Sequence, residues 1–249
     1  MRGSFLLKFF CTLNVSLLLI CGCATQSTPV TESPETSLHK ALPNLTIESI
    51  QQTDIQGLYE VTSGLNIFYY YPGKEYLFFG DMFTLEGKNI TAEKKAGLAA
   101  KLVKNLPLDK AVSTGNGKTV VIEFTDPDCP FCKKAYDYLK SKQDVKLYTF
   151  FSPFAHPAAI SKVYYILNAQ DKSKAYHDVF DGKSVTPPAD GYSDAIKKLA
   201  QEHMDLARSV GVSGTPTFFI NGKQIVGADI QKIEKLLNES NKEGKIPEK

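Results

Sequence analysis

Two cysteines separated by two residues form the strongest chemical feature of the sequence. Cys129 and Cys132 follow an apolar run at 119–124 and precede a segment with helical spacing at 135–139. A pair of thiols at the junction between a strand and the helix that follows it is suited to reversible disulfide formation. We expect Cys129 at the helix N-cap and Pro130 as the first helical residue, where its missing N–H is harmless. The positive end of the helix dipole then favours the thiolate of Cys129, which is the reactive form.

The first 23 residues predict export. Arg2 and Lys8 precede an apolar run at 9–20. That run is roughly a dozen residues long, which is typical of a signal peptide and shorter than the ~20 residues of a membrane-spanning helix. It ends in Ile20-Cys21-Gly22-Cys23, which resembles a bacterial lipobox and favours lipid attachment at Cys23. The alternative is an ordinary cleaved signal that leaves Cys23 as a free thiol. Either reading predicts a periplasmic protein, and acylation would anchor it to a membrane.

Export changes how the remaining cysteines are interpreted. Of the five cysteines, Cys129 and Cys132 alone lie beyond the N-terminal segment. In an oxidising compartment such a close pair favours catalysis, because so short a loop gains little stability from a crosslink. Cys132 lies deeper along the helix and suits the role of the thiol that resolves a mixed disulfide. The two thiols carry this chemistry themselves, so we expect no cofactor.

A zinc site is the first competing interpretation of the pair, and we reject it. Structural zinc usually needs four ligands. The sequence holds no second cysteine pair beyond the N-terminal segment, and its four histidines, at positions 39, 156, 177 and 203, show no ligand spacing. We therefore expect no metal. The histidines are interpreted as surface or helix-face residues.

Size and charge limit the possible classes of protein. With 249 residues, of which 43% are hydrophobic, the chain is long enough to bury a core and to form one or two domains. The net charge is +2 and no basic block is present, so nucleic acid is not an expected partner.

The first half of the exported chain predicts a flexible tether followed by a small α+β domain. Residues 24–37 are rich in Ser, Thr and Pro and lack a hydrophobic period. Residues 38–90 predict one helix at 38–45 and strands at 46–50, 57–62, 65–71 and 76–83. About 50 residues give marginal stability without a partner. We therefore interpret this segment as a dimerisation domain that pairs with a second copy.

The second half predicts a linker helix and an α/β domain. The linker helix covers 91–107, with Thr91 as its cap and Pro107 forcing its end. Residues 108–240 predict strand–helix–strand, then a helical insertion at 157–210, then a hairpin at Asn221-Gly222 and a last helix at 229–239. This order is the thioredoxin-like pattern, and residues 241–249 form a tail.

An acidic residue within the first strand of this domain is a further candidate. Glu123 stands six residues before Cys129, in the middle of a strand predicted to be buried, where a lone carboxylate is unfavourable. A carboxyl group with a raised pKa at this place would relay the proton of Cys132. The alternative is that Glu123 reaches the sheet edge or pairs with a lysine.

Three motifs resemble one known family. They are Glu123-Phe124-Thr125-Asp126 with the cysteine pair, Asp171-Lys172-Ser173-Lys174-Ala175, and Gly211-Val212-Ser213-Gly214-Thr215-Pro216. Together they resemble the bacterial periplasmic disulfide isomerases of the DsbC/DsbG family over nearly the whole exported chain. The resemblance implies that Cys129 is the nucleophile, Cys132 the resolving thiol, and Thr215-Pro216 a cis-proline pair beside them.

The same resemblance implies partners. They are exported proteins with mispaired disulfides, a membrane thiol-electron donor of the DsbD type, and a second copy of the chain in a V-shaped homodimer. Substrate would bind at Thr215 and Pro216 and at the residues between the cysteines, Pro130 and Phe131. Familiar isomerases carry Gly-Tyr at these two positions. Pro130 is closer to the oxidase arrangement, so a net disulfide oxidase stays open as an alternative, as does a periplasmic holdase or binding lipoprotein.

Overall fold

The computed structural model describes residues 32–243, with side chains described to residue 240. The predicted signal segment, the lipidation candidate Cys23 and most of the predicted tether lie outside the described residues. Within the described part of the chain, no helix combines the length and apolar character needed to cross a membrane.

The N-terminal unit is one helix on a four-stranded antiparallel sheet. Helix α1 covers Pro34–Ala41, and the strands, in sheet order, are β1 (Ser49–Gln52), β2 (Tyr59–Ser63), β3 (Asn66–Tyr71) and β4 (Tyr76–Phe78). Alternate residues of β2 and β3 point toward α1, and the small core between the layers contains Leu38, Val61, Phe68 and Tyr70. The α+β character of this unit agrees with the prediction.

Helix α1 begins four residues before its predicted start. The side chain of Ser33 accepts a hydrogen bond from the backbone N–H of Thr36 at 3.1 Å, and Pro34 occupies the first helical position. Residues 34–37, predicted as tether, are therefore helical. Composition suggested a tether here because Ser, Thr and Pro favour helix starts as well as loops.

Helix α2 covers Ile90–Val103, close to the predicted linker helix, but its cap differs from the prediction. The side chain of Asn89 caps it by accepting the N–H of Ala92 at 2.8 Å. Thr91 is instead fully buried, and its hydroxyl oxygen accepts the N–H of Met82 at 2.8 Å. The helix ends four residues before Pro107, in a turn.

The second unit is built on a five-stranded mixed sheet in the order β5-β7-β6-β8-β9. The two central strands, β6 and β7, are parallel, and the other pairings are antiparallel. Asn221 and Gly222 form the β8–β9 turn with φ angles of 51° and 69°, as the Asn-Gly signal predicts. The short edge strand β5 was not predicted. The strands are β5 (Val112–Thr114), β6 (Thr119–Thr125), β7 (Val145–Phe151), β8 (Thr217–Ile220) and β9 (Lys223–Val226).

Five helices complete this unit. The predicted insertion is three separate helices, because loops with turn residues interrupt it, and the last helix continues past residue 240 into the predicted tail. The helices are α3 (Pro130–Leu139), α4 (Ile160–Asn168), α5 (Lys172–Phe180), α6 (Asp194–Ser209) and α7 (Ile230–Glu243).

Alternation along β6 divides the core between the two faces of the sheet. Val121 faces a large cluster that holds both cysteines and side chains of α3, α5 and α7. Ile122 and Phe124 face a second cluster, to which Ala99 and Val103 of α2 contribute. Helix α2 therefore packs on the five-stranded sheet.

Candidate redox site

The cysteine pair lies at the start of α3, as predicted. Cys129 is the N-cap residue, with φ −80° and ψ 123°, and Pro130 is the first helical residue. Cys129 is 6% exposed and Cys132 is completely buried. Both are free thiols, and they are the only cysteines among residues 32–243. Of the two thiols, that of Cys129 is therefore the one that another molecule can reach.

The loop before β8 contacts the outer thiol. The peptide bond between Thr215 and Pro216 is cis, as the resemblance implied. The Sγ–H of Cys129 donates to the carbonyl oxygen of Thr215 at 3.5 Å. Thr215 is half-buried and Pro216 is buried. The structure therefore brings together two segments that are more than 80 positions apart in the sequence.

The residues between the cysteines face solvent. Pro130 is exposed, and the ring of Phe131 is 62% exposed. An exposed aromatic ring next to a reactive thiol provides an apolar contact for another chain.

Glu123 is fully buried beneath the pair, in the central strand β6. Its Oε2 accepts hydrogen bonds from the hydroxyls of Tyr176, at 3.1 Å, and Thr149, at 3.2 Å. Its Oε1 has no hydrogen-bond partner among the described residues. Burial raises the pKa of Glu123 to about 7, and the neighbouring hydroxyls of Tyr176, Thr125 and Thr149 limit that rise. The alternatives of a sheet-edge position or a lysine partner are wrong.

The inner thiol shares this buried environment. Burial raises the pKa of Cys132 well above its usual range, and the negative charge of Glu123 adds to the rise. The backbone N–H of Asp126 donates to Cys132 Sγ at 3.4 Å. Thr125 lies beside both the Glu123 carboxyl and the Cys132 thiol. Its hydroxyl, like Glu123 Oε1, is buried and has no hydrogen-bond partner among the described residues.

A pair next to the cysteines was missed from the sequence. Asp126 is completely buried, and its Oδ2 lies 2.7 Å from Nδ1 of His156, whose side chain is 39% exposed. The sequence interpretation placed this histidine on the surface. Asp126 stood within a quoted motif, but the 30 positions between the two residues carry no spacing signal.

No cluster of three or more histidine, cysteine or acidic side chains suited to a metal ion occurs in the described part of the chain. The side chains near the cysteine pair supply carboxyl, hydroxyl and imidazole groups.

The sheet order, the cysteine pair at a helix N-cap and the adjacent cis-proline define a thioredoxin-like domain. Residues 106–241 match the family described as the thioredoxin-like domain. Residues 25–92 match the family described as the disulfide bond isomerase protein N-terminal domain. The chain belongs to the DsbC family of thiol:disulfide interchange proteins.

Individual relatives agree. A probable thiol:disulfide interchange protein DsbC from Bordetella avium is 31% identical over 195 residues, covering 77% of this chain and 68% of the relative. A probable DsbC from Bordetella pertussis is also 31% identical, over 176 residues, covering 69% of this chain. The chain spans 61% of the length of that relative.

Among solved structures, a linker-deletion mutant of ScsC from Proteus mirabilis superimposes with a TM-score of 0.53 at 20% identity. The match covers 62% of this chain and 87% of the mutant chain. At this identity the comparison supports the fold alone.

Proposed function

We propose that this protein is a thiol:disulfide interchange enzyme that acts on exported proteins, mainly as a disulfide isomerase and reductase. The observation that carries the proposal is the asymmetry of the cysteine pair. Cys129 caps a helix beside the carbonyl of Thr215, whereas Cys132 is buried above an acid. Family membership supports the same class of activity.

In the first step the thiolate of Cys129 attacks a disulfide of the substrate. One substrate sulfur bonds to Cys129 Sγ, and the other leaves as a thiolate that takes up a proton. The unpaired N–H groups at the start of α3 favour the attacking thiolate. The freed substrate thiolate then attacks another disulfide of the substrate and releases a different thiolate. That thiolate attacks the substrate sulfur bonded to Cys129, so a new substrate disulfide forms and Cys129 leaves as a thiolate.

In the alternative second step Cys132 resolves the mixed disulfide. Its proton passes to Oε1 of Glu123, directly or through the Thr125 hydroxyl, and its sulfur attacks Cys129. A bond forms between the two cysteines, the substrate sulfur leaves with the electron pair, and the substrate is reduced. A carboxyl group with a pKa near 7 suits this transfer, because it accepts and returns a proton at neutral pH.

Substrate binding would use the surface around Cys129. The exposed ring of Phe131 and the ring of Pro130 offer apolar contact, and the Thr215-Pro216 segment lies directly against the reactive thiol. The same segment leaves its backbone near the sulfur, where an extended peptide can pair with it.

The N-terminal unit would form a homodimer through the edge of its sheet. Strand β4 is at the end of the sheet order, and an unpaired edge is a template for pairing with another chain. Exposed apolar side chains lie on β4 and on the segment that follows it. They are Tyr76 (58%), Phe78 (50%), Phe79 (76%), Phe83 (60%) and Leu85 (104%).

Sedimentation of the protein at micromolar concentration tests the dimer. Phe79→Asp places a charge in the apolar edge and is expected to shift the protein toward the monomer. Phe131→Asp is a matched control, because it changes an exposed aromatic residue outside this sheet. A monomer in the unchanged protein would contradict the dimer.

The remaining partners follow from the direction of the reaction. An isomerase needs the pair in its reduced form, so a membrane thiol-electron donor of the DsbD type is the proposed reductant. The N-terminal segment supports a periplasmic location and a lipid anchor at Cys23. Mass spectrometry of the N-terminal peptide from membrane fractions tests the anchor.

A scrambled multi-disulfide protein tests the activity. The unchanged protein is expected to restore its native pairing, and Cys129→Ala is expected to abolish that rescue. Equal rescue by Cys129→Ala would show that Cys129 is not the nucleophile. Suppression of aggregation that survives the loss of both cysteines would instead support a holdase.

The second candidate is a net oxidase, because Pro130, the first residue between the cysteines, is closer to the oxidase arrangement. An oxidase would rapidly oxidise a reduced dithiol peptide and would be mainly oxidised in the cell. The redox state of the pair in the periplasm therefore separates the two functions.

A further inference from the structure

A buried carboxylate with one titratable partner lies next to the cysteines. Asp126 is 0% exposed, and its Oδ2 lies 2.7 Å from Nδ1 of His156. Its Oδ1 accepts the backbone N–H of Asp128 at 2.9 Å. A buried charge of this kind is strongly unfavourable unless it is paired. His156 is the residue that pairs with it, and it is open to solvent on its other side.

The backbone of Asp126 is bonded to both cysteines. Its N–H donates to Cys132 Sγ at 3.4 Å, and its carbonyl oxygen accepts the N–H of Cys129 at 3.1 Å. The residue that carries the buried charge therefore also holds the sulfur of Cys132 and the backbone of Cys129. Because Asp126 is completely buried and Cys129 is 6% exposed, a change of charge at this pair is screened less than it would be in water, and it acts on a thiolate at Cys129.

We propose that His156 is a positioning residue of the cysteine site, and that its protonation stabilises the Cys129 thiolate and so makes the pair more oxidising. With His156 protonated, the pair with Asp126 is neutral overall. With His156 neutral, the pair carries one negative charge, which opposes a thiolate. Histidine is the side chain whose charge ordinarily changes between pH 5 and 8. The inference rests on the proposed thiol–disulfide function.

Other charged groups around the pair do not duplicate this effect. Asp128, next to the first cysteine, forms an ion pair with Lys162 of α4, so their charges offset each other. Glu123, with a pKa of about 7, titrates on the side of Cys132. A comparison between variants at position 156 leaves Glu123 unchanged, so its contribution appears in every profile.

The experiment is carried out on the full chain, and the result is read from one tryptic peptide that contains the cysteine pair. Trypsin cleavage after Lys118 and Lys133 releases residues 119–133, which contain Cys129 and Cys132 and no other cysteine. Mass spectrometry of this peptide reports the alkylation rate of Cys129 and the disulfide content in glutathione buffers. Both are measured from pH 5.5 to 8.5. The other cysteines, at positions 11, 21 and 23, do not contribute.

The central variant is His156→Asn. The Asn amide keeps a donor close to the place of Nδ1 but carries no charge at any pH. His39→Asn is the matched control, because His39 lies exposed on α1. At pH 6 we expect Cys129 of the unchanged protein to be alkylated about three to ten times faster than in His156→Asn, with rates converging within about twofold at pH 8.5. The control should follow the unchanged protein.

The redox equilibrium between the Cys129–Cys132 pair and glutathione should change together with the alkylation rate. At pH 6 the disulfide should be favoured in His156→Asn by about the same three- to tenfold factor, because the reduced thiolate has lost a stabilising cation. At pH 8.5 the two equilibria should agree. If His156→Asn shows the same pH profile as the unchanged protein, the charge of His156 does not act on the cysteines. A difference between the two proteins that is equal at every pH would also overturn the role of charge.

A second variant separates charge from position. His156→Ala removes the donor as well, so it should lower the thermal midpoint and change Cys129 reactivity at all pH values. If His156→Ala instead matches the unchanged protein in reactivity and pH profile, His156 does not position the site. Failure of the peptide to form any intramolecular disulfide would contradict the proposed function itself, which is a distinct result.

Discussion

The hydroxyl of Tyr176 donates a hydrogen bond to Oε2 of Glu123 at 3.1 Å, and through it α5 reaches the floor of the cysteine site. Tyr176 is 1% exposed, and its pKa is raised well above the usual range by burial and by the carboxylate it contacts. The helical insertion therefore supplies part of the environment that sets the acidity of Glu123. The other hydroxyl donor, Thr149, comes from the neighbouring strand β7.

The variant Tyr176→Phe should raise the pKa of Glu123 further, because it removes a donor that favours the carboxylate. The resolving step at Cys132 should then reach its full rate at a pH higher by about one unit. Stopped-flow measurement of mixed-disulfide resolution against pH checks this.

Tyr136→Phe is the control for that experiment. Tyr136 packs edge-on against Tyr176, and its hydroxyl bonds to His177 without contacting Glu123. Its profile should keep the unchanged midpoint. An equal shift in both variants would show that packing, and not the hydrogen bond to Glu123, causes the effect.

The variant Glu123→Gln should slow the resolving step at neutral pH, by about 100-fold if the carboxyl carries the proton. The attack of Cys129 on a substrate disulfide should change much less. Single-turnover kinetics with a disulfide peptide separate the two steps. Equal slowing of both would contradict the relay.

The same residue makes stability depend on pH. The pKa of Glu123 is raised in the folded protein from 4.5 to about 7, so its contribution is fully present below pH 4.5 and is lost as the pH rises through 7. The fall in unfolding free energy between pH 5 and 8.5 should be smaller in Glu123→Gln by about 3 kcal/mol. Denaturant unfolding at the two pH values measures it.

The variant Cys132→Ala should accumulate a mixed disulfide with substrate, because the resolving thiol is absent. Non-reducing electrophoresis should show the trapped adduct, and Cys129→Ala should show none. An adduct in Cys129→Ala, with none in Cys132→Ala, would reverse the two roles.

A buried histidine predicts sensitivity to acid. His203 accepts the N–H of Phe151 at Nδ1, at 3.1 Å, and its Nε2 lies 3.0 Å from the carbonyl oxygen of Lys110. Burial lowers its pKa from 6.5 to about 4, so the unfolded chain binds the proton more strongly and stability falls as the pH drops from 6.5 to 4. The loss should be about 3 kcal/mol.

The variant His203→Gln should flatten this part of the stability profile while lowering stability at pH 7, because a buried hydrogen-bonded group is replaced. Thermal unfolding between pH 4 and 7 checks it. His39→Asn, on the exposed face of α1, should leave the profile unchanged.

Local signals predicted much of the fold. Pro130 and the helical spacing after it placed the start of α3, and Asn221-Gly222 placed the last hairpin, because both act within a few residues. The cap of α2 was predicted at Thr91, whose hydroxyl instead bonds to Tyr69 and to the N–H of Met82. The Thr91 side chain, which the local pattern predicts to be a helix cap, is instead engaged in tertiary hydrogen bonds.

The sequence by itself determined the two reactive thiols, the proline beside them and the acid six residues before them, because chain proximity and the strand–helix order fix their approximate places. Only the tertiary structure decided which groups act on them. Tyr176 and Thr149 meet Glu123, and His156 meets Asp126, through packing of elements 26 to 53 positions apart. Such contacts arise from strand pairing and from the packing of loops and helices against the sheet, which no local spacing encodes.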